Sequence, residues 1–174
     1  MVTCQAAATL SDASHPPYPP NSIATVSPFT IRPIAPAQTR ALRQAVLRPH
    51  ETLEQLAAHE PADAFAVGAF DGGALVAVGF VARDGGPGDW RVRGMATAAA
   101  ARGRGAGTAV LDALLCHAAA EGAGRIWCNA RTPARSLYER AGMRVVSEEF
   151  ELPMIGPHLV MELTTPLELP PADA

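Results

Sequence analysis

Hydrophobic positions change their spacing along this chain, and each change marks an element. Short apolar runs rich in β-branched and aromatic residues predict strands over 29–34, 64–70 and 75–81. Pro33 places the first at an edge or a strand end. Between the first two strands the spacing becomes helical. Leu42, Ala45 and Val46 share one face of a helix over 37–46, which Pro36 suits at its first turn and Pro49 ends. Leu53, Leu56 and Ala57 share a face over 51–58. Asp71-Gly72-Gly73 joins the second and third strands as a hairpin turn. A Gly- and Pro-rich loop over 84–89 leads into a strand over 90–97. Val110, Leu111, Leu114, Leu115 and Ala118 then form an unbroken stripe on a helix over 105–120, stopped by Gly122-Ala123-Gly124. A short buried strand over 126–129, a helix over 134–140 and two strands over 144–150 and 158–162 complete the pattern.

Strands follow one another in the first half, and strand-helix-strand units occupy the second. That order predicts a mixed α/β sheet with at least one parallel crossover. Residues 1–27 are rich in Ala, Ser, Pro and Thr and carry no periodicity, so a flexible N-terminal tail, one domain over 28–165 and a short Pro-rich tail over 166–174 are expected.

Composition narrows the function classes. Hydrophobic residues make up 48% of the chain, enough for one sizeable core, and the net charge of −3 argues against general nucleic-acid binding. No apolar run approaches the roughly 20 residues that cross a bilayer, so no membrane partner is expected. The start lacks the basic and apolar segments of a signal peptide. Cys4, Cys116 and Cys128 are scattered and odd in number, which fits reduced thiols and a cytoplasmic location. The five histidines show no metal-ligand spacing, and no metal is expected.

The chemistry concentrates in Arg102-Gly103-Arg104-Gly105-Ala106-Gly107, between a predicted strand and the amphipathic helix. Glycines let the backbone approach a ligand, and the unpaired N–H groups of the helix start favour an anion, pyrophosphate being the usual one. A P-loop would end in Gly-Lys-Ser/Thr, but Gly107 is followed by Thr108. A dinucleotide site would carry GxGxxG and an acid after the next strand; the spacing here is GxGxG, and that strand ends in Cys128-Asn129-Ala130-Arg131. A dinucleotide-binding oxidoreductase stays in view as a weakened alternative.

Two segments together resemble the GNAT family of acetyl-CoA-dependent N-acyltransferases. Arg102-x-x-Gly105-x-Gly107 matches its Arg/Gln-x-x-Gly-x-Gly/Ala signature, and the Ala134 to Met143 segment, with Leu137-Tyr138 and Gly142, is similar to its Ala-x-x-Phe/Leu-Tyr-x-x-x-Gly-Phe segment. Leu42-Arg43-x-x-Val46-Leu47-Arg48-Pro49 is similar to the early helix of some members. Departures are Ala99, Ala101 and Met143 at packing positions, and Arg131 where an Asn often contacts the cofactor. The resemblance implies a mostly antiparallel central sheet of about seven strands flanked by about four helices. It also implies an N-acetyltransferase that takes acetyl-CoA as co-substrate and a small-molecule or peptide amine as acceptor. A non-catalytic acyl-CoA-binding or sensing module on the same fold is the alternative, and a homodimer is left open.

By that resemblance, backbone N–H groups at Arg102, Gly103, Arg104, Gly105, Ala106, Gly107 and Thr108 would cradle the pyrophosphate. Met95, Ala96 and Thr97 would pair with the pantetheine arm, and a splay near Asn129 would admit the thioester. Tyr138, read from the residues alone, is a helix tyrosine packed on the sheet; the resemblance makes it the general acid at the departing thiolate. Acetylation needs a neutral amine, and a lysine-like amine of pKa about 10.4 is neutral in only about one molecule in a few thousand at pH ~7. The base candidates are Glu148, Glu149 and His158, with a water relay equally open. Arg91 and Arg93 project to one face of their strand, where they either attract an anion of acceptor or cofactor or pair with nearby acids.

Overall fold

A computed structural model describes residues 28–164; the tails expected over 1–27 and 166–174 lie outside the described residues. The chain runs β1 (Thr30–Ile34), α1 (Arg40–Leu47), α2 (Leu53–Ala58), β2 (Phe65–Asp71), β3 (Ala74–Arg83), β4 (Asp89–Thr97), α3 (Ala106–Ala120), β5 (Arg125–Arg131), α4 (Arg135–Arg140), β6 (Arg144–Val145), β7 (Phe150–Leu152) and β8 (Gly156–Thr164). All eight strands join one sheet in the order β1-β2-β3-β4-β5-β8-β6, with β7 also on β8. The pairing is antiparallel except between β4 and β5, which α3 connects as the parallel crossover.

Two elements differ from the periodicity. The helix expected over 37–46 opens as a 3-10 turn, Pro36–Thr39. Its own side chains hold that turn: Gln38 Oε1 accepts from the Ala35 N–H and Thr39 Oγ1 donates to the Pro36 carbonyl. The strand expected over 144–150 is two strands. After Val146 N–H reaches the Val160 carbonyl, the hydroxyl of Ser147 accepts from the Val160 N–H. A side chain thus takes the place of a main-chain acceptor, the ladder breaks, and pairing resumes at Phe150 opposite His158.

One sheet face is covered by α3. Val110, Leu111, Leu114 and Ala118 are fully buried against Val67, Val81, Trp90, Val92 and Ile126. Each such Val or Leu contributes about 1.5–3 kcal/mol on burial. The other face carries α1 and α2, with Leu56 and Phe80 buried. Cys128 is a buried free thiol, and Cys4 lies outside the described residues. No helix among the described residues is long and apolar enough to cross a membrane, and no group of three or more His, Cys, Asp or Glu among them could hold a metal ion.

Candidate active site

The site is set by where β4 and β5 part. Their parallel pairing covers only Asp89↔Arg125, Trp90↔Ile126 and Arg91↔Trp127, although β4 continues to Thr97 and β5 to Arg131. Each strand stays bound to its other neighbour, β4 to β3 and β5 to β8. The β3–β4 register explains the divergence. Phe80 pairs with Arg93 and Val78 with Ala96, so Gly94 and Met95 stand opposite Gly79 alone. This is a β-bulge, which bends its strand and increases the local twist. Gly94 sits in it at φ 63°, and a Cβ there would lie 2.9 Å from both Arg43 Nε and Phe80 Cε1. The bulge therefore requires glycine twice over, for conformation and for space.

Two adjoining cavities fill the opening. One, of about 500 Å³, is lined by Met95, Thr97, Arg102, Asn129, Arg131 and Tyr138. The other, of about 430 Å³, lies toward α1 and α2 and is lined by Arg43, Glu51, Leu56, Arg91, Leu152 and Ile155 among others. Leu47, Arg48, Val92, Arg93, Gly94, Asn129, Ile155 and His158 border both, so the two form one slot.

The glycine loop meets the larger cavity through Arg102, while Gly103 to Thr108 do not border it. Gly105, at φ 90°, precedes α3 with no side-chain cap, and the first turn contains no acid. The opening N–H groups of the helix are consequently available to an anion. Gly103 and Gly105 are needed for positive φ alone, since a Cβ on either would meet nothing within 4 Å. Gly107 is needed for closeness: a Cβ there would lie 3.0 Å from Thr97 Oγ1, where α3 meets the end of β4. The two arginines of the loop differ. Arg102 borders the larger cavity, with Nε 3.4 Å from the Thr97 carbonyl. Arg104 is engaged elsewhere, paired with Asp71 at 2.7 Å and stacked over Phe29. Of the β4 residues expected at the pantetheine arm, Met95 and Thr97 border the cavity and Ala96 is buried.

Tyr138 projects from α4 and is only 6% exposed, yet it borders the larger cavity. Its hydroxyl has no hydrogen-bond partner among the described residues. Burial in the first place, and the thiol of Cys128 in the second, push its pKa well above that of an ordinary phenol, so it stays protonated. His158 sits across the slot on β8, 4% exposed. Its Nδ1–H donates to the Gly156 carbonyl at 2.7 Å, so Nε2 is the ring nitrogen left to face the slot. The other two base candidates are not in this group: Glu148 and Glu149 are outside both cavities, and Glu149 accepts a hydrogen bond from Thr132 at 2.7 Å.

Sequence reasoning assigned no role to three residues of the smaller cavity. Glu51 pairs with Arg48 at 2.7 Å and keeps a buried, unbonded Oε2. Arg43 bridges to Glu60 at 2.7 Å and lies over Phe80. The one signal pointing to them was the segment from Leu42 to Pro49, which carries Arg43 and Arg48; nothing in the spacing showed that α1 turns these side chains into a slot. Arg91 and Arg93 share Asp84, Arg91 at 3.1 Å. Arg131 closes the far wall, donating to the Leu47 carbonyl at 2.7 Å; burial first, then the charge of Arg48, lowers its pKa.

Comparisons with known proteins agree with this architecture. Residues 31–143 match the family model described as the acetyltransferase (GNAT) family. An uncharacterised N-acetyltransferase of Bacillus subtilis, YitI, is 30% identical over 141 residues, covering 77% of this chain and 95% of the relative. The ribosomal-protein-S18-alanine N-acetyltransferase of Escherichia coli superposes with a TM-score of 0.68 at 15% identity, over 84% of this chain and 99% of its own. A Bacillus subtilis acetyltransferase in complex with CoA superposes with a TM-score of 0.61 at 15% identity, over 79% and 99%.

Proposed function

The chain belongs to the acetyltransferase (GNAT) family, and we propose that it transfers an acetyl group from acetyl-CoA to a primary amine of a small molecule or peptide by direct attack in a ternary complex. The observation that carries this reading is the opening of the parallel β4–β5 pair beyond Arg91 and Trp127, with Tyr138 and His158 bordering the slot it creates. The pyrophosphate seats on the main-chain N–H groups between Arg102 and Thr108 at the start of α3, and the pantetheine arm lies along Met95 to Thr97. Asn129, on β5, borders the thioester.

The amine enters through the smaller cavity and its nitrogen attacks the thioester carbon. A main-chain N–H in the bulge near Met95 donates to the carbonyl oxygen as negative charge grows there; one such donor is worth about 10²–10³ in rate. Nε2 of His158 takes the proton the nitrogen sheds. The carbon–sulfur bond then breaks and the thiolate leaves beside the Tyr138 hydroxyl. A thiol has a reference pKa of about 8.5, below that of the buried phenol. Tyr138 therefore stabilises the thiolate as a hydrogen-bond donor, and the proton that ends on sulfur derives from the amine. A panel of amines, polyamines, aminoglycosides and peptide N-termini, incubated with acetyl-CoA, tests the reading. Free thiol must appear in step with acetylated amine, and only when both substrates are present. Binding of CoA without acetylation of any amine would refute it.

A further inference from the structure

The wall of the 430 Å³ cavity has a charge opposite to that of the whole chain. The chain carries −3. The cavity is bordered by Arg43, Arg48, Arg91 and Arg93 against the single acid Glu51. Behind the wall Arg40 and Arg43 share Glu60, and Arg91 and Arg93 share Asp84. Five guanidinium groups thus meet three carboxylates. Donors outnumber acceptors as well. Arg91 bonds Asp84 through Nη1 and Arg93 through Nη2, while both Nε–H groups are buried without a partner among the described residues. That leaves Arg91 Nη2 and Arg93 Nη1 with no hydrogen bond to those residues.

This excess sits where low-dielectric walls focus it. Leu47, Leu56, Phe80, Val92, Leu152 and Ile155 supply the apolar part of the lining. The guanidiniums also repel one another. Arg91 is held below its ordinary pKa first by burial and further by Arg93, and Arg43 first by burial and further by Arg48 and Arg40. A bound oxyanion would relieve that repulsion, and a cationic acceptor would have to overcome it. The cavity volume lies within the small-molecule range of about 300–1,000 Å³.

We infer that the acceptor amine carries its own oxyanion, a carboxylate or a phosphate, and that Arg91 and Arg93 receive it while Arg43 and Arg48 close the opposite wall. The inference rests on the transferase reading above and deepens it. A polyamine or an aminoglycoside is disfavoured, and an amine with an anionic group a few bonds from its nitrogen is selected.

Matched amine pairs test this: an amino acid against its amide, and phosphoethanolamine against ethanolamine, with a polyamine beside them. The anionic member of at least one pair is expected to have a kcat/KM tenfold or more above its neutral partner. The difference should reside in KM and shrink as salt rises. The pair that shows it identifies carboxylate or phosphate as the group recognised. Arg93→Gln is expected to bring the ratio toward unity, and Arg93→Lys to keep most of it. Three results overturn the inference while leaving the transferase reading intact. Neutral members are preferred in both pairs, or the polyamine is the best acceptor, or Arg93→Gln raises KM for acetyl-CoA and leaves the ratio unchanged. Acetylation of no amine at all refutes the transferase reading itself, and this inference with it.

Discussion

Gly94→Ala tests whether the β4 bulge is as tightly determined as the structure implies. Two costs are separable there. The first is conformational: at φ 63° an alanine enters the left-handed region, which costs about 1–2 kcal/mol. Part of this is offset, because alanine also restricts the unfolded chain, by about 0.4–1 kcal/mol. The second cost is steric. The new Cβ would lie 2.9 Å from Arg43 Nε and from Phe80 Cε1. Neither neighbour gives way cheaply. Arg43 is anchored by Glu60 at 2.7 Å and Thr39 at 3.3 Å, and Phe80 is 1% exposed. Overpacking of this kind adds about 1–3 kcal/mol, for a total loss of about 2–4 kcal/mol. Gly103→Ala is the matched control: its φ is 72° and a Cβ there meets nothing within 4 Å. It incurs the conformational cost alone, about 1 kcal/mol net. Urea denaturation of the three proteins, with the slope of the transition checked for constancy, measures both. Gly94→Ala should be the less stable variant by about 2 kcal/mol, and should also lose acetyl transfer as the main chain at Met95 shifts. Equal stability of the two variants would refute the steric half of this reasoning.

Other outcomes follow from the same geometry. His158→Gln should slow acetyl transfer by about 100-fold with little change in CoA affinity by titration calorimetry, whereas Glu148→Gln and Glu149→Gln should leave the rate within about 3-fold, less than one 1.4 kcal/mol step. Arg104→Ala should alter KM for acetyl-CoA little, since the Arg104 side chain is committed to Asp71 and the proposed pyrophosphate seat is main chain. Burial alone would raise the Glu60 carboxyl, but hydrogen bonds and charge from Arg40 and Arg43 hold it below its ordinary value. Its contribution to stability is therefore complete above the unfolded carboxyl pKa of about 4.3 and is lost as pH falls through the lower folded value. Glu60→Gln should cost about 3 kcal/mol at neutral pH, because it leaves Arg43 buried and unpaired, and the gap to wild type in urea denaturation should narrow as pH falls below about 4.

The sheet was legible in the sequence because its elements carry one-sided patterns. The stripe from Val110 to Ala118 and the Asp71-Gly72-Gly73 turn report local physics, and local physics decided them. The break at Ser147 was not legible, since it depends on a hydroxyl meeting a main-chain N–H of a strand that follows later in the chain. The bulge at Gly94 was hidden for a similar reason: a glycine inside a strand pattern has several meanings until Arg43 and Phe80 are placed around it. The larger cavity was legible in part, since Met95, Thr97, Arg102, Asn129 and Tyr138 all border it. The smaller cavity was not, because its charges come from α1, the segment before α2, and β4, and their balance depends on which acids lie behind them. Arg91 and Arg93 show this well. Asp84 pairs with both, as one of the two readings expected.

The central claim is that acetyl-CoA reacts in the β4–β5 opening with Tyr138 at its sulfur. Thiol release by wild type and Tyr138→Phe, measured beside CoA binding to each, tests it most directly. A hydrogen bond to a charged group is worth about 1.5–3 kcal/mol, so kcat should fall by about 10- to 150-fold while CoA binds the two proteins alike. An unchanged kcat in Tyr138→Phe would contradict the account.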